Sequence, residues 1–344
     1  MNNGRAVTTV LVSILLLGLW SGLGLAQSAD KVAQFYKGKT MTWVVSAEPG
    51  GSTDVIARIL VPHLARETGT KIAVKNMTGG SMEGDNWTFN EAKPDGLTLL
   101  TEGTGPLLLN DLLKSAGVQY VTEKFIFLAG AMPELTIGAV SPKLPQKTFD
   151  ALRKAKGLKI GASSAKGYLA LSGAVATAIL GLDARVLTGY KGQKSVLLAV
   201  TQGEVDMIVA SEPDVANSAK AGDVVPLFVL GDERSSLLPN LQTLKELGVT
   251  IPADLVGAYK AVSTNSKSIV LPPGVPEERV AFLRGIFSKM NTKKAVQDDI
   301  KRFSGIWRPM IPGEKLQEEI RVIMGNKALG AQMDGLMKKY GAVR

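Results

Sequence analysis

The sequence predicts an α/β protein made of two lobes, and three observations carry this. Short apolar runs alternate with segments of helical period from residue 38 onward. The same alternation restarts near residue 158. The length, 344 residues at about 150 per domain, is enough for two cores. Strands interleaved with helices argue for parallel-type sheets, one to each lobe. With no low-complexity linker in view, crossing segments interweave the lobes.

The first 26 residues have the form of a secretory signal. Arg5 is the charge of the n-region, the apolar stretch Val7–Trp20 follows, and Gly24-Leu25-Ala26 provides small residues before a cut ahead of Gln27. Beyond it, Met41–Val45 is a strand that stops at Glu48-Pro49-Gly50-Gly51. In the helix that follows, Ile56, Ile59, Leu60, His63 and Leu64 share one face, with a kink expected near Arg58 because Pro62 lies inside. Lys71–Lys75 is a strand, Gly79–Gly84 a glycine loop, and a helix then runs through Ala92. Pro94-Asp95-Gly96 is a turn before the strand Leu97–Thr101. Phe125–Ala129 and Thr136–Val140 are two more strands.

In the second half, Leu158–Gly161 is a strand, Ala162–Gly167 a small-residue loop, and a helix runs to about Leu180. Arg185–Leu187, Val205–Val209, Val225–Val229 and Val256–Val262 continue as strands. Helices are expected at Pro276–Asn291, Thr292–Phe303 and Gly313–Gly325, the last with the apolar stripe Leu316, Ile320, Ile323 and Met324.

Composition excludes several classes of function. No Cys is present, which removes thiolate nucleophiles, thiolate zinc sites and cysteine-ligated clusters. One His, on the apolar face of its helix, does not build a metal site or a Ser-His-Asp triad, and Gly-x-Ser-x-Gly is absent. We therefore expect no enzyme, no cofactor and no metal; an exported hydrolase is the catalytic alternative. The net charge of +9 becomes +8 once Arg5 leaves with the signal. Its basic residues are dispersed, with no run of nucleic-acid type, so the charge favours encounter with small anions. An exported chain without Cys suits the periplasm.

Three loops could carry binding chemistry. Glu48-Pro49-Gly50-Gly51-Ser52-Thr53-Asp54 joins a strand to a helix, where glycines allow close approach of a ligand and free amides attract an anion. The alternative is that Ser52, Thr53 or Asp54 caps the helix. Ser163-Ser164-Ala165-Lys166-Gly167-Tyr168 repeats the setting in the second half, with two hydroxyls, a cation and a phenol. Tyr190-Lys191-Gly192-Gln193 adds an aromatic and a charge before a further helix. Each of the last two is equally a solvent-facing connection. Glu212-Pro213-Asp214 fits either a cleft carboxylate or a helix start. Trp43, Trp87 and Trp307 are read as packing residues.

Read together, these elements resemble the extracytoplasmic solute receptors of the tripartite tricarboxylate transporter family, the Bug receptors. The match rests on Pro49-Gly50-Gly51-Ser52-Thr53-Asp54 continuing through Ala57-Arg58 to Pro62 and Leu64. It continues in Asn76 with Gly79, Gly80 and Gly84, in Lys93–Leu100, in Tyr190-Lys191-Gly192, and in the spacing Arg234…Leu238-Pro239…Thr243…Glu246-x-Gly248. The elements stand in order from about Phe35 to Pro276. The chain departs from the family pattern at Lys166, at Tyr168 and Leu171 (where a serine and a histidine are usual), at Leu97, and at Thr188-Gly189.

The resemblance implies a type II periplasmic-binding-protein fold, two α/β lobes joined by a hinge with a ligand cleft between them. Lobe 1 would comprise residues 27–138 and 262–344, and lobe 2 residues 139–261. It implies that Gly50, Gly51, Ser52, Thr53 and Asp54 line one wall of the cleft and Ser163, Ala165, Lys166, Gly167 and Tyr168 the other. Gly103 and Thr104, in a loop expected at Thr101–Pro106, and Tyr190 would add to them. The implied function is capture of a small organic carboxylate by a monomeric periplasmic protein, and its delivery to integral-membrane permease subunits. A receptor that hands its closed form to a signalling protein is the alternative. The departures imply a cleft retuned by Lys166 and Tyr168 for an aromatic or longer diacid.

Overall fold

A computed structural model describes residues 30–78, 82–165 and 167–343. The signal segment 1–26, Gly79, Gly80 and Lys166 lie outside the described residues. Residues 30–36 form helix α1, followed by β1 (Thr40–Val45), α2 (Ser52–Thr68), β2 (Lys71–Asn76), α3 (Glu83–Asn90), β3 (Thr98–Gly103) and α4 (Thr104–Leu112). Next come β4 (Ile126–Glu134), β5 (Thr136–Val140), α5 (Phe149–Lys154), β6 (Leu158–Gly161), α6 (Tyr168–Leu180), β7 (Ala184–Thr188), α7 (Gln193–Gln202), β8 (Met207–Ser211), α8 (Glu212–Lys220) and β9 (Val225–Val229). The chain ends with α9 (Val256–Ser263), β10 (Asn265–Leu271), α10 (Glu277–Met290), α11 (Lys294–Ser304), β11 (Ile311–Pro312), α12 (Gly313–Gly325), α13 (Leu329–Tyr340) and β12 (Gly341–Val343).

Two six-stranded sheets result, with orders β11-β4-β10-β3-β1-β2 and β12-β7-β6-β8-β5-β9. Without the edge strands β11 and β12 the two orders coincide: β1 corresponds to β6, β2 to β7 and β3 to β8. Each sheet has a parallel half and an antiparallel strand beside it, β10 against β3 and β4, and β5 against β8 and β9. The sheets are therefore mixed, with the parallel-type pairing the sequence suggests confined to one half of each. The inserted strand also makes the inter-sheet connection short, because β4 ends at Glu134 and β5 begins at Thr136.

Period-two alternation explains how the first sheet holds two layers of helix. Met41, Trp43, Val45, Leu99, Ile269 and Leu271 face a core shared with α2 and α10. Val44, Leu100 and Val270 face the opposite way, into a core continuous with that of the second sheet. Trp43 is fully buried, lies edge-on to Phe287 and donates from Nε1 to Thr101 Oγ1 at 2.7 Å, a packing role. Helix α2 continues through Pro62, and its single His is buried beside Asp299, with Nε2 3.2 Å from Oδ2.

Three further expectations are corrected. Residues 256–262 are helix, because Leu255, Ala258, Tyr259 and Val262 recur at helical spacing and are all buried. The strand at that point is β10, whose polar start, Asn265-Ser266-Lys267-Ser268, has the composition of a loop. It is a central strand because its hydroxyls are satisfied inside: Thr104 Oγ1 donates to Ser266 O at 3.0 Å and lies 2.7 Å from both Ser266 Oγ and Ser268 Oγ. Finally, residues 262–344 do not all belong with the first sheet. Helix α12 packs on β4, but α13 packs on α6, and β12 pairs with β7 in the second sheet.

Candidate ligand-binding site

Helices α2, α4 and α6 each begin directly beyond a parallel strand, β1, β3 and β6. Each starts on a glycine, Gly51, Gly103 and Gly167, and none has a side-chain cap. Capping by Ser52, Thr53 or Asp54 is thus not what the β1–α2 loop uses, and the first-turn amides of α2 keep their capacity for an anion. Gly50 sits at φ +80°, a left-handed conformation that other residues adopt with strain. Ser52 is exposed, Gly51 half-buried and Thr53 buried.

Asp54 organises this loop from within. It is 2% exposed; Oδ2 accepts from the Gly50 amide at 2.9 Å, Arg58 Nε reaches both oxygens, and Asn76 Nδ2 donates to Oδ1 at 2.9 Å. Burial alone would raise its pKa, but the hydrogen bonds from Arg58, Gly50 and Asn76 outweigh it and hold the carboxyl below its ordinary value. The carboxylate is fully engaged, so Asp54 is a positioning residue in this structure and not an open contact. Arg58 Nη2 also donates to Asn76 Oδ1, which ties α2 to the end of β2.

The expected Thr101–Pro106 loop is absent, since β3 runs to Gly103 and α4 starts at Thr104. Thr104 is fully buried and its hydroxyl is occupied by β10, so its side chain faces the sheet; only the backbone at Gly103 and Thr104 is left for a ligand. In the second sheet, Ser163 and Gly167 are half-buried and Ala165 is exposed. Tyr168 does not point out as a free phenol. Its hydroxyl is hydrogen-bonded to Thr136 Oγ1 between the two sheets, and burial pushes its pKa up to about 12. A Cβ placed on Gly105 would lie 3.4 Å from Tyr168 Cδ2, so the starts of α4 and α6 meet at this ring. Tyr190 is also turned inward, 8% exposed, with its hydroxyl donating to Glu204 Oε1 at 3.1 Å. Lys166 lies outside the described residues.

The structure adds three charged groups that sequence reading missed, Glu134, Lys267 and Arg308. Glu134, at the end of β4, is buried with Lys267 Nζ at 3.4 Å and Asn265 Nδ2 at 3.4 Å. Burial raises its pKa and Lys267 partly offsets the rise. Glu212, fully buried at the start of α8, takes a bidentate contact from Arg308, with Nη2 to Oε1 at 2.7 Å, and a hydrogen bond from Ser235 Oγ. The helix-start reading of Glu212 thus fits its position, but its carboxylate serves an ion pair between α8 and the segment before β11. A lysine inside the polar run 263–268 was the one available sign of the first group.

Among the described residues no cluster of three or more metal-ligating side chains occurs, and no helix is long and apolar enough to cross a membrane. The chain is 29% identical to the protein BugT of Bordetella pertussis over 289 residues, 77% of this chain and 82% of that one. Its fold is that of a TctC solute-binding protein from Polaromonas, with a TM-score of 0.71, 21% identity, and coverage of 88% of this chain and 99% of the other. A protein of R. palustris solved with adipate superposes with a TM-score of 0.66 at 20% identity, covering 86% and 97%. The model of the tripartite tricarboxylate transporter family receptor matches residues 56–301, a span that begins just after Gly50–Asp54. From that match, the chain belongs to the tripartite tricarboxylate transporter receptor family.

Proposed function

We propose that this protein is a periplasmic solute receptor whose two lobes close on a small organic carboxylate and present it to integral-membrane permease subunits. The observation that carries this reading is the uncapped start of α2 behind Gly50-Gly51, held open by Asp54. Its equivalent in the second sheet, the start of α6, supplies a second glycine-led helix end. Backbone amides of residues 52–54 and the exposed Ser52 hydroxyl hold one carboxylate. The starts of α4 and α6 close over it, and Lys166 takes a distal carboxylate. The lobes divide where the chain passes between the sheets, at Leu135, between Ser263 and Asn265, and again between Gly325 and Leu329. Closure follows from greater affinity of the solute for the closed arrangement. No bond is made or broken.

The protein solved with adipate supports a diacid as the first class to try. Thermal-shift titration with adipate, shorter diacids and aromatic acids tests the reading. At least one acid raises the melting temperature at millimolar concentration, and Ser52→Ala weakens that acid. If no acid shifts the transition, the carboxylate reading is wrong.

A further inference from the structure

Six acids are buried among the described residues, and four of them hold a cation: Asp54 with Arg58, Asp111 with Lys114, Glu134 with Lys267, and Glu212 with Arg308. Asp85 and Glu102 do not. They lie together at the carboxyl ends of β1 and β3. Val45 pairs with Thr101, so Ser46 and Glu102 are the next neighbours in register and project to the face covered by α3. A Cβ on Gly84, next to Asp85, would lie 3.2 Å from Ser46 Oγ. Exposure is 1% for Asp85, 7% for Glu102 and 8% for Ser46.

The cluster is incomplete on its own terms. Among the described residues Asp85 Oδ1 and Ser46 Oγ have no hydrogen-bond partner, although buried polar groups rarely go without one. Glu102 Oε1 accepts from the adjacent Gly103 amide at 2.5 Å. Burial pushes Asp85 up to about 7 and raises Glu102 well above its ordinary value, and the charge of Asp85 adds to the rise at Glu102. The charge of Lys267 acts on Glu102, but its ammonium is engaged by Glu134 at 3.4 Å. A place in the first turn of α3 accounts for an acid at position 85, but not for burying it with an oxygen unpartnered.

We propose that Ser46, Asp85 and Glu102 form a cation-receiving subsite beside the β1–α2 and β3–α4 loops, which takes an ammonium group of the solute. The inference rests on the receptor reading above and narrows it: the solute is an aminocarboxylate, its carboxylate on the α2 amides and its ammonium on the two acids. An ammonium offers three donors, which matches the unpartnered Asp85 oxygen, Glu102 and the Ser46 oxygen.

The test is isothermal calorimetry with ω-amino acids from β-alanine to 6-aminohexanoate, each against the same acid without its amine. In the wild-type protein at least one aminocarboxylate binds about tenfold or more tightly than its partner. Asp85→Asn and Glu102→Gln, each checked for a wild-type-like circular dichroism spectrum, lose that margin and keep the affinity for the simple acid. Ser46→Ala lowers the margin in part. Equal binding within every pair, or a margin that survives both Asp85→Asn and Glu102→Gln, overturns the subsite and leaves the carboxylate reading intact. Binding of simple alkylamines together with no binding of any simple acid overturns the carboxylate reading and keeps the subsite. Absence of binding by every compound overturns both.

Discussion

The loops after β1 and β6 occupy the same place in two sheets of the same order, yet they are held in different ways. After β1, a charged knot of Asp54, Arg58, Asn76 and the Gly50 amide fixes the backbone and leaves the helix start open. After β6, an aromatic side chain is the anchor: Tyr168 packs on Gly105 at the start of α4 and binds Thr136 at the start of β5. The next pair of equivalents differs again. Helix α4 starts on Gly103, whereas α8 starts on Ser211 and its first residue, Glu212, is paired with Arg308. Topology therefore fixes where a ligand could bind, and the residue chemistry at each helix start determines which of those places accept an anion.

The largest effect expected from breaking this contrast is at α8. Arg308→Ala leaves Glu212 buried without its cation and costs about 3–5 kcal/mol in denaturant unfolding. The double variant Glu212→Gln with Arg308→Met recovers most of it, since an uncharged pair needs no counterion. Asp54→Ala comes next, at about 2–3 kcal/mol, because it releases Arg58, Asn76 and the Gly50 amide at once. It also abolishes acid binding in the thermal-shift assay.

Asp54 makes a separate acid-side prediction. Its pKa is depressed in the folded protein, so its stabilisation is present above the unfolded value and is lost as pH falls through the folded one. Wild-type stability thus falls more steeply below about pH 4 than that of Asp54→Asn. Equal slopes in parallel melts would show that the knot does not depend on the charge.

Smaller effects separate support from contact. Tyr168→Phe loses the Thr136 hydrogen bond and about 1 kcal/mol, with the ring packing kept. If Tyr168 is an anchor and not a ligand contact, acid affinity in that variant stays within a few-fold of wild type. Ser52→Ala, at an exposed position, changes stability by less than about 0.5 kcal/mol and still weakens the acid. Reversal of those last two outcomes would move the ligand from the α2 start to the α6 start.

Much of the fold was legible because it is local. Alternation gave β1, and the exact spans of β5, β6 and β9 followed from short apolar runs bounded by turn residues. The stripe Leu316, Ile320 and Ile323 gave α12, and all three are buried. The β1–α2 loop was legible as a possible site because glycines between a strand and a helix are a local signal. Two parts were misread for physical reasons. Residues 256–262 have short apolar spacing that serves either period, and β10 begins with four polar residues whose partners are 131 to 164 positions away. No local pattern reports such partners.

The sequence alone determined two α/β units, glycine-led helix starts behind strands, and the resemblance to solute receptors, since propensity, turn chemistry and periodicity act between near neighbours. Only the tertiary structure decided what each polar side chain does. It placed Asp54 in a knot, Tyr168 between the sheets, Glu212 on Arg308, and Asp85 with Glu102 at a buried strand end without a counterion. These roles depend on burial and on partners brought in by chain crossings. Hydrogen bonding and charge pairing in a low-dielectric interior are set by that surrounding and not by the residue type.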